Sequence, residues 1–241
     1  MPLYSTSPDK ILFLDIETVS ARSGFNELDK NWQELWEQKT RFMRGEEDSP
    51  EEFYGKRAAI MAEFGKIICI SCGFFSSREG QRKFRVKSFF GDDEAQLLRD
   101  FAGLLNTHFQ KEYLLCAHNG KEFDFPYIAR RMVVHGIRLP DLLNTSGLKP
   151  WEVRHLDTME MWKFGDYKHF TSVKLLAALF NIPTPKDDID GSMVGEVYWK
   201  NNDLERIVNY CQKDAVTVAR LFLKMEMREA LKDDDIIISN E

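Results

Sequence analysis

Two carboxylates stand two residues apart in an otherwise apolar run, Ile11-Leu12-Phe13-Leu14-Asp15-Ile16-Glu17-Thr18. The run reads as a buried β-strand from Lys10 to Thr18. Residues two apart on a strand share a face, so Asp15 and Glu17 project together while Leu12, Leu14 and Ile16 fill the other side. Two anions held side by side are costly unless a cation joins them. Residues 11–18 contain no Lys or Arg, which makes a divalent metal the natural partner, and hard cations such as Mg²⁺ favour oxygen ligands. A strand end with both acids in solvent would account for the pair equally well.

Two further segments carry acids in telling places. Asn119-Gly-Lys-Glu-Phe123-Asp124 follows a short apolar strand, Tyr113 to His118, and α/β proteins gather ligands at such strand-to-helix turns. Asp124 is a ligand there or the cap of the next helix, and Asn119-Gly120 makes the turn in either case. Tyr210 and Asp214 lie four apart on a long C-terminal helix, hence on neighbouring turns of one face. The apolar stripe of that helix holds Leu204, Ile207, Val208, Cys211, Ala215, Val218 and Phe222, with Asp214 on its flank and Tyr210 one step further out. An acid beside a buried stripe needs a partner, a metal or a neighbour such as Lys213.

The elements that must bring these segments together are legible in outline. Apolar and alternating runs at Ile67 to Phe75 and Lys83 to Phe90 predict sheet partners for the first strand, and a short strand is expected near His155 to Thr158. Helices are predicted at about Asp93 to Phe109, Phe125 to His135, from a Thr171 cap to Phe180, and from Asp203 to about Leu231. Asn26 to Phe64 is charged and aromatic, with Trp32, Leu35 and Trp36 at helical spacing, and reads as a helical insertion with a polar, mobile centre at Arg44 to Glu52. Pro183 to Gly191 reads as a polar loop and residues 232–241 as an acidic tail. One mixed α/β domain with a core at about residues 10–225 is expected.

Composition narrows the class. A net charge of −6 argues against a DNA-coating protein and leaves a nuclease open, because bound metals reverse the sign of an acidic cage. Cys69, Cys72, Cys116 and Cys211 lie in apolar segments, as reduced core thiols do, and the N-terminus has no basic-then-apolar leader, so a cytoplasmic protein without membrane partners is expected. Cys69-x-x-Cys72 lies within one strand and has no second pair nearby, so it reads as core rather than as a zinc site. Asp187, Asp188 and Asp190 read as a solvated loop.

Taken in order, strand acids, turn Asp and helical Tyr-x-x-x-Asp resemble the DEDD (DnaQ-like) exonuclease superfamily. Asp15-Ile-Glu17-Thr18 looks like its first motif, Asn119-x-x-x-Phe123-Asp124 its second and Tyr210-x-x-x-Asp214 its third, in the DEDDy form. Within that branch the chain is most similar to the proofreading exonuclease domain of family B DNA polymerases, and more closely to stand-alone bacterial proteins related to it; 185–191 and 197–199 carry part of that likeness. The 26–64 insertion departs from the pattern near the expected approach to the cleft.

The resemblance implies an RNase H-like fold with a mixed five-stranded sheet flanked by helices, and 3′→5′ hydrolysis of single-stranded ends. Asp15, Glu17, Asp124 and Asp214 would hold two Mg²⁺ or Mn²⁺ ions about 4 Å apart, with Asp15 bridging them and Tyr210 orienting the attacking water. Ile16, Thr18, Asn119 and Phe123 would contact the terminal nucleotides, Thr18 at the 3′-hydroxyl and Phe123 by stacking, although Phe123 suits core packing equally well. Lys121, Arg130, Arg131, Lys168 and Lys174 are candidate phosphate contacts or plain surface charges. DNA is the favoured substrate, with short RNA or a silent binding module of the same fold as alternatives. A polymerase or a replication or repair protein would be a separate partner.

Overall fold

The computed structural model describes residues 6–78, 80–166, 170–183 and 189–239. Six strands form one sheet: β1 (Ile11–Ser20), β2 (Gly65–Arg78), β3 (Gln81–Phe90), β4 (Leu114–Ala117), β5 (Leu156–Asp157) and β6 (Ile236–Ile238), in the order β5-β4-β1-β2-β3-β6. β1, β2 and β3 form an antiparallel meander, and β4 joins β1, and β5 joins β4, in parallel. The expected five strands are present; the sixth corrects the reading of residues 232–241 as a tail. β6 adds in parallel to β3, and two of the acidic residues pin it there, Asp233 on Arg220 and Asp235 on Lys83 at 2.7 Å. A three-residue strand behind an acidic run has too few residues to show a period of two.

Alternation along β1 decides the layers. Leu12, Leu14 and Ile16 face α3 (Glu94–His108) and α4 (Asp124–Val134), in a core with Leu98, Phe101, Ile128 and Met132. Ile11 and Phe13 face the opposite way, packing with Val218, Ala219 and Phe222 of α8 (Leu204–Met225). Asp15 and Glu17 continue the Ile11–Phe13 row and therefore lie beneath α8. The ladder between β1 and β2 shifts register between Glu17 and Thr18, which leaves Ile68 as an extra residue of β2. Ile68 and its neighbour Cys69 both pack on the α8 side, as a β-bulge allows.

Inside 26–64, α1 (Lys30–Thr40) and α2 (Pro50–Arg57) close a small core of Phe25, Trp36, Phe53, Tyr54 and Phe64. The polar stretch there is partly built, because Ser49 and Glu52 form a capping box that starts α2. The insertion is fastened beside the end of β1: the Arg22 backbone N–H donates to the Tyr54 hydroxyl at 3.2 Å, and Tyr127 donates to the Ala59 carbonyl at 2.8 Å.

Two helix ends differ from expectation. Ser172, not Thr171, caps α6 (Val173–Leu179), accepting from the Leu175 N–H at 3.2 Å. α8 begins after Asp203 as its pattern predicts but stops at Met225 rather than near Leu231. Met227 turns left-handed at φ 53°, and the N–H groups of Met227 and Arg228 return to the carbonyls of Lys224 and Leu223. That is a Schellman ending with methionine where glycine would be the usual signal. α5 (Thr158–Lys163) and α7 (Val194–Trp199) complete the helices among the described residues.

Candidate active site

The carboxylates of Asp15 and Glu17 lie on adjacent same-face positions of β1 under α8. One Asp15 oxygen, one Glu17 oxygen and the Cys211 sulfur lie within 4.8 Å of one another. Asp15 Oδ2 is buried with no hydrogen-bond partner, and Glu17 is 8 % exposed. Such groups stay neutral unless a cation pairs with them. Burial first, then the charges of Glu17, Asp214 and Asp124, push the Asp15 pKa well above the usual carboxylate range. Glu17 is raised in the same way by burial, Asp214, Cys69 and Asp124.

Asp124 arrives from the β4–α4 turn. It is the first residue of α4, with Phe123 at the cap position and no side-chain cap, so it does not serve as the cap. Its carboxylate accepts from its own N–H and from the N–H of Ile16 on β1; burial nevertheless raises its pKa to about 8, with Asp157 adding to the effect. The turn itself needs its residues. Asn119 is left-handed at φ 61°, and a Cβ on Gly120 would lie 2.4 Å from the Ala117 Cβ. On α8 the Tyr210 hydroxyl donates to Asp214, and burial and the charges of Asp214, Glu17 and Asp15 drive its pKa far above 10. The four acids and Tyr210, drawn from three distant segments, thus share one electrostatic environment.

The remaining candidates sit differently. Thr18 is buried and its hydroxyl hydrogen-bonds to Tyr127. Ile16 buries its side chain in the α3–α4 core. Phe123 is half-buried against that core with its ring 5.3 Å from Tyr127, the packing alternative. The Asn119 N–H donates to Asp157. Arg131 is committed to a buried pair with Glu94, and Lys121 pairs with Glu160 at 2.7 Å. Lys168, Asp187, Asp188 and most of the 185–191 segment lie outside the described residues.

Asp157 escaped the sequence reading, where it looked like part of a short strand. It is 3 % exposed and accepts from the N–H groups of Asn119 (2.9 Å), Lys121 (3.1 Å), Met159 (2.9 Å) and Glu160 (3.4 Å). It therefore ties the turn that carries Asp124 to the start of α5. Asp157→Ala is expected to weaken metal binding and turnover about 10–100-fold, the usual cost of losing a group that orients a ligand. Asp157→Asn, which keeps a carbonyl acceptor, should recover part of both. Calorimetric metal titration beside initial rates checks this, and wild-type values for the alanine variant would refute the role.

A sequence model of the family described as "Predicted 3'-5' exonuclease related to the exonuclease domain of PolB" matches residues 59–239, three quarters of the chain. The chain belongs to this family. The span contains Asp124, Tyr210 and Asp214; Asp15 and Glu17 precede it and join them through the pairing of β1 with β2 and β4. Curated relatives of this chain include a DNA polymerase of Pyrococcus glycovorans, 28% identical over 184 residues, covering 67% of this chain and 23% of the relative. DNA polymerase 1 of Pyrococcus abyssi is 25% identical over 192 residues, 70% of this chain and 24% of that protein. The family B DNA polymerase of Pyrobaculum calidifontis shares the fold with a TM-score of 0.55 at 14% identity, over 90% of this chain and 24% of that one. The chain spans about a quarter of each of these proteins. No helix among the described residues is long and apolar enough to cross a membrane.

Proposed function

We propose that this chain hydrolyses single-stranded DNA from the 3′ end, one nucleotide at a time, with two divalent cations held by Asp15, Glu17, Asp124 and Asp214. The observation that carries the reading is the convergence of four acids around a buried Asp15 oxygen that has no partner, a donor set of hard oxygens suited to Mg²⁺ or Mn²⁺. When bound, the ions supply Lewis-acid stabilisation of the attacking and departing oxygens.

The chain's own groups do the rest. Asp15, central to the cluster, is the ligand best placed to be shared between two ions. Tyr210, a phenol whose ordinary pKa near 10 is poorly matched to a base at neutral pH, keeps its proton and orients the attacking water by hydrogen bonding. A cleft of about 330 Å³ opens beside Tyr210, lined by Arg206 and Lys213 and also by Asp203 and Glu205, and its two basic side chains are the candidates there for contact with a backbone phosphate.

A gel time course with 5′-labelled single-stranded DNA and RNA in Mg²⁺, Mn²⁺ or EDTA tests the reading. A metal-dependent ladder shortening from the 3′ end, faster on DNA, is the expected result. Absence of cleavage by folded, metal-loaded protein would favour a silent binding module. Tyr210→Phe should slow cleavage about 10–100-fold, less than the loss typical of a true general base, which reaches about 10⁴, while calorimetry shows metal still loading. An unchanged rate would remove Tyr210 from the reaction.

A further inference from the structure

One residue in the wall of the site has no part in the hydrolysis above. Cys211 follows Tyr210 on α8, and its thiol donates to the Asp15 backbone carbonyl at 3.3 Å. The thiol also lies beside the Asp15 carboxylate and Cys69 across on β2. Cys72, three residues beyond Cys69, points to the other face of the sheet and packs in the α3–α4 core. The sulfur pair of this protein is therefore Cys69 with Cys211, between strand and helix, and it borders the carboxylates.

We propose that this corner is a second metal-binding mode, in which a thiophilic divalent cation such as Zn²⁺ is taken by Asp15, Glu17 and the Cys211 thiolate, with Cys69 the next sulfur in reach. The proposal rests on the reading of Asp15 and Glu17 as metal ligands. A tetrahedral Zn²⁺ with bonds of about 2.0–2.3 Å keeps its donors about 3.3–3.8 Å apart. Three donors already within 4.8 Å need to close by about 1 Å. One observation favours an occupant: the Asp15 Oδ2 atom is buried and unpartnered.

The chemistry separates the two modes. Mg²⁺ is a hard ion that leaves the buried thiol protonated, whereas Zn²⁺ prefers sulfur and deprotonates a coordinating thiol outright. Binding converts the Cys211 S–H to a metal thiolate and releases its proton to solvent, together with any proton that Asp15 or Glu17 holds before the cation arrives, with no change of oxidation state. Because Asp15 and Glu17 serve both modes, capture of Zn²⁺ displaces the ions that hydrolysis needs, and the protein becomes sensitive to free zinc.

Co²⁺ is the spectroscopic probe. Titrated into the full chain, it should produce a sulfur-to-cobalt charge-transfer band in the near ultraviolet, which Zn²⁺ then abolishes. Cys211→Ser, checked for folding by circular dichroism, should lack the band; a band that persists in that variant overturns the assignment. X-ray absorption of the zinc-loaded wild-type protein needs no variant. It should show a sulfur shell at about 2.3 Å, and a shell of oxygen and nitrogen alone overturns the proposal. Mg²⁺-dependent cleavage is read separately. A Cys211-dependent band in a protein that cuts nothing would sink the hydrolytic reading and sustain this one, and cleavage without a sulfur shell would do the reverse.

Discussion

Asp15→Ala should lower metal-dependent cleavage by about a thousandfold or more while leaving the ion-free protein at least as stable as wild type. The catalytic loss follows from the value of a metal at the reacting phosphate, several kcal/mol, with each 1.36 kcal/mol equal to tenfold in rate. The stability expectation has a separate cause. Asp15 Oδ2 is buried without a partner, and three neighbouring acids oppose ionisation of the carboxyl group. Removing it takes away a desolvated polar group and a source of repulsion, at the expense of a small cavity. Rates on 5′-labelled oligonucleotide and thermal unfolding in EDTA read both effects. A variant that cuts within tenfold of wild type would end Asp15's candidacy, and a marked loss of stability would show that the side chain serves the fold.

The second large effect is a reversal of pH dependence by metal. Asp124 has a folded pKa of about 8, and those of Asp15 and Glu17 are raised, against unfolded values near 4. Between those limits the folded, ion-free protein binds more protons than the unfolded chain. The contribution of Asp124 is full below about pH 4 and is lost as pH rises through about 8, and those of Asp15 and Glu17 are lost in the same direction. His155, lowered to about 4, and His118, lowered by burial, act with the opposite sign as pH falls below about 6.5, so the range from pH 7 upward separates the acids from the histidines, with the raised thiols of Cys72, Cys116 and Cys211 adding in the acids' direction near pH 8.5. Over that range the unfolding midpoint in EDTA should fall. Cations bind the ionised acids, so in Mn²⁺ the midpoint should hold or rise with pH. At a hundredfold excess over Kd the gain is about 2.7 kcal/mol, at about 2–4 °C for each kcal/mol in a chain of this size. Parallel slopes with and without the ion would show that the cluster does not bind it.

Much of the site could be read from the chain because its positions obey simple periods. Asp15 and Glu17 share a face by strand alternation, and Tyr210 and Asp214 share one by helical spacing. Asp124 follows a strand whose neighbours, β1 and β5, could both be located. What escaped depends on partners distant in sequence. Asp157 matters through backbone donors about forty residues earlier, which no local pattern records. Cys211 looked like one more member of an apolar stripe, and Cys69 like half of a local pair. Their meeting across β2 and α8 follows from the register, and the bulge at Ile68 is part of it. The end of α8 escaped because methionine occupies the left-handed position where glycine is the usual cue, and the start of α6 because Thr171 and Ser172 are adjacent cap residues that a pattern does not separate.

The sixth strand has a consequence for how the molecule behaves in company. β3 is a ten-residue strand, and β6 covers only Phe84, Arg85 and Val86 of its outer side. Open strand edges invite pairing with other chains, and proteins blunt them with short cover strands and charge. Here the cover is three isoleucines clipped down by Lys83–Asp235 and Arg220–Asp233. Loosening either clip, by high salt or by truncation after Lys232, would bare that border and favour self-association.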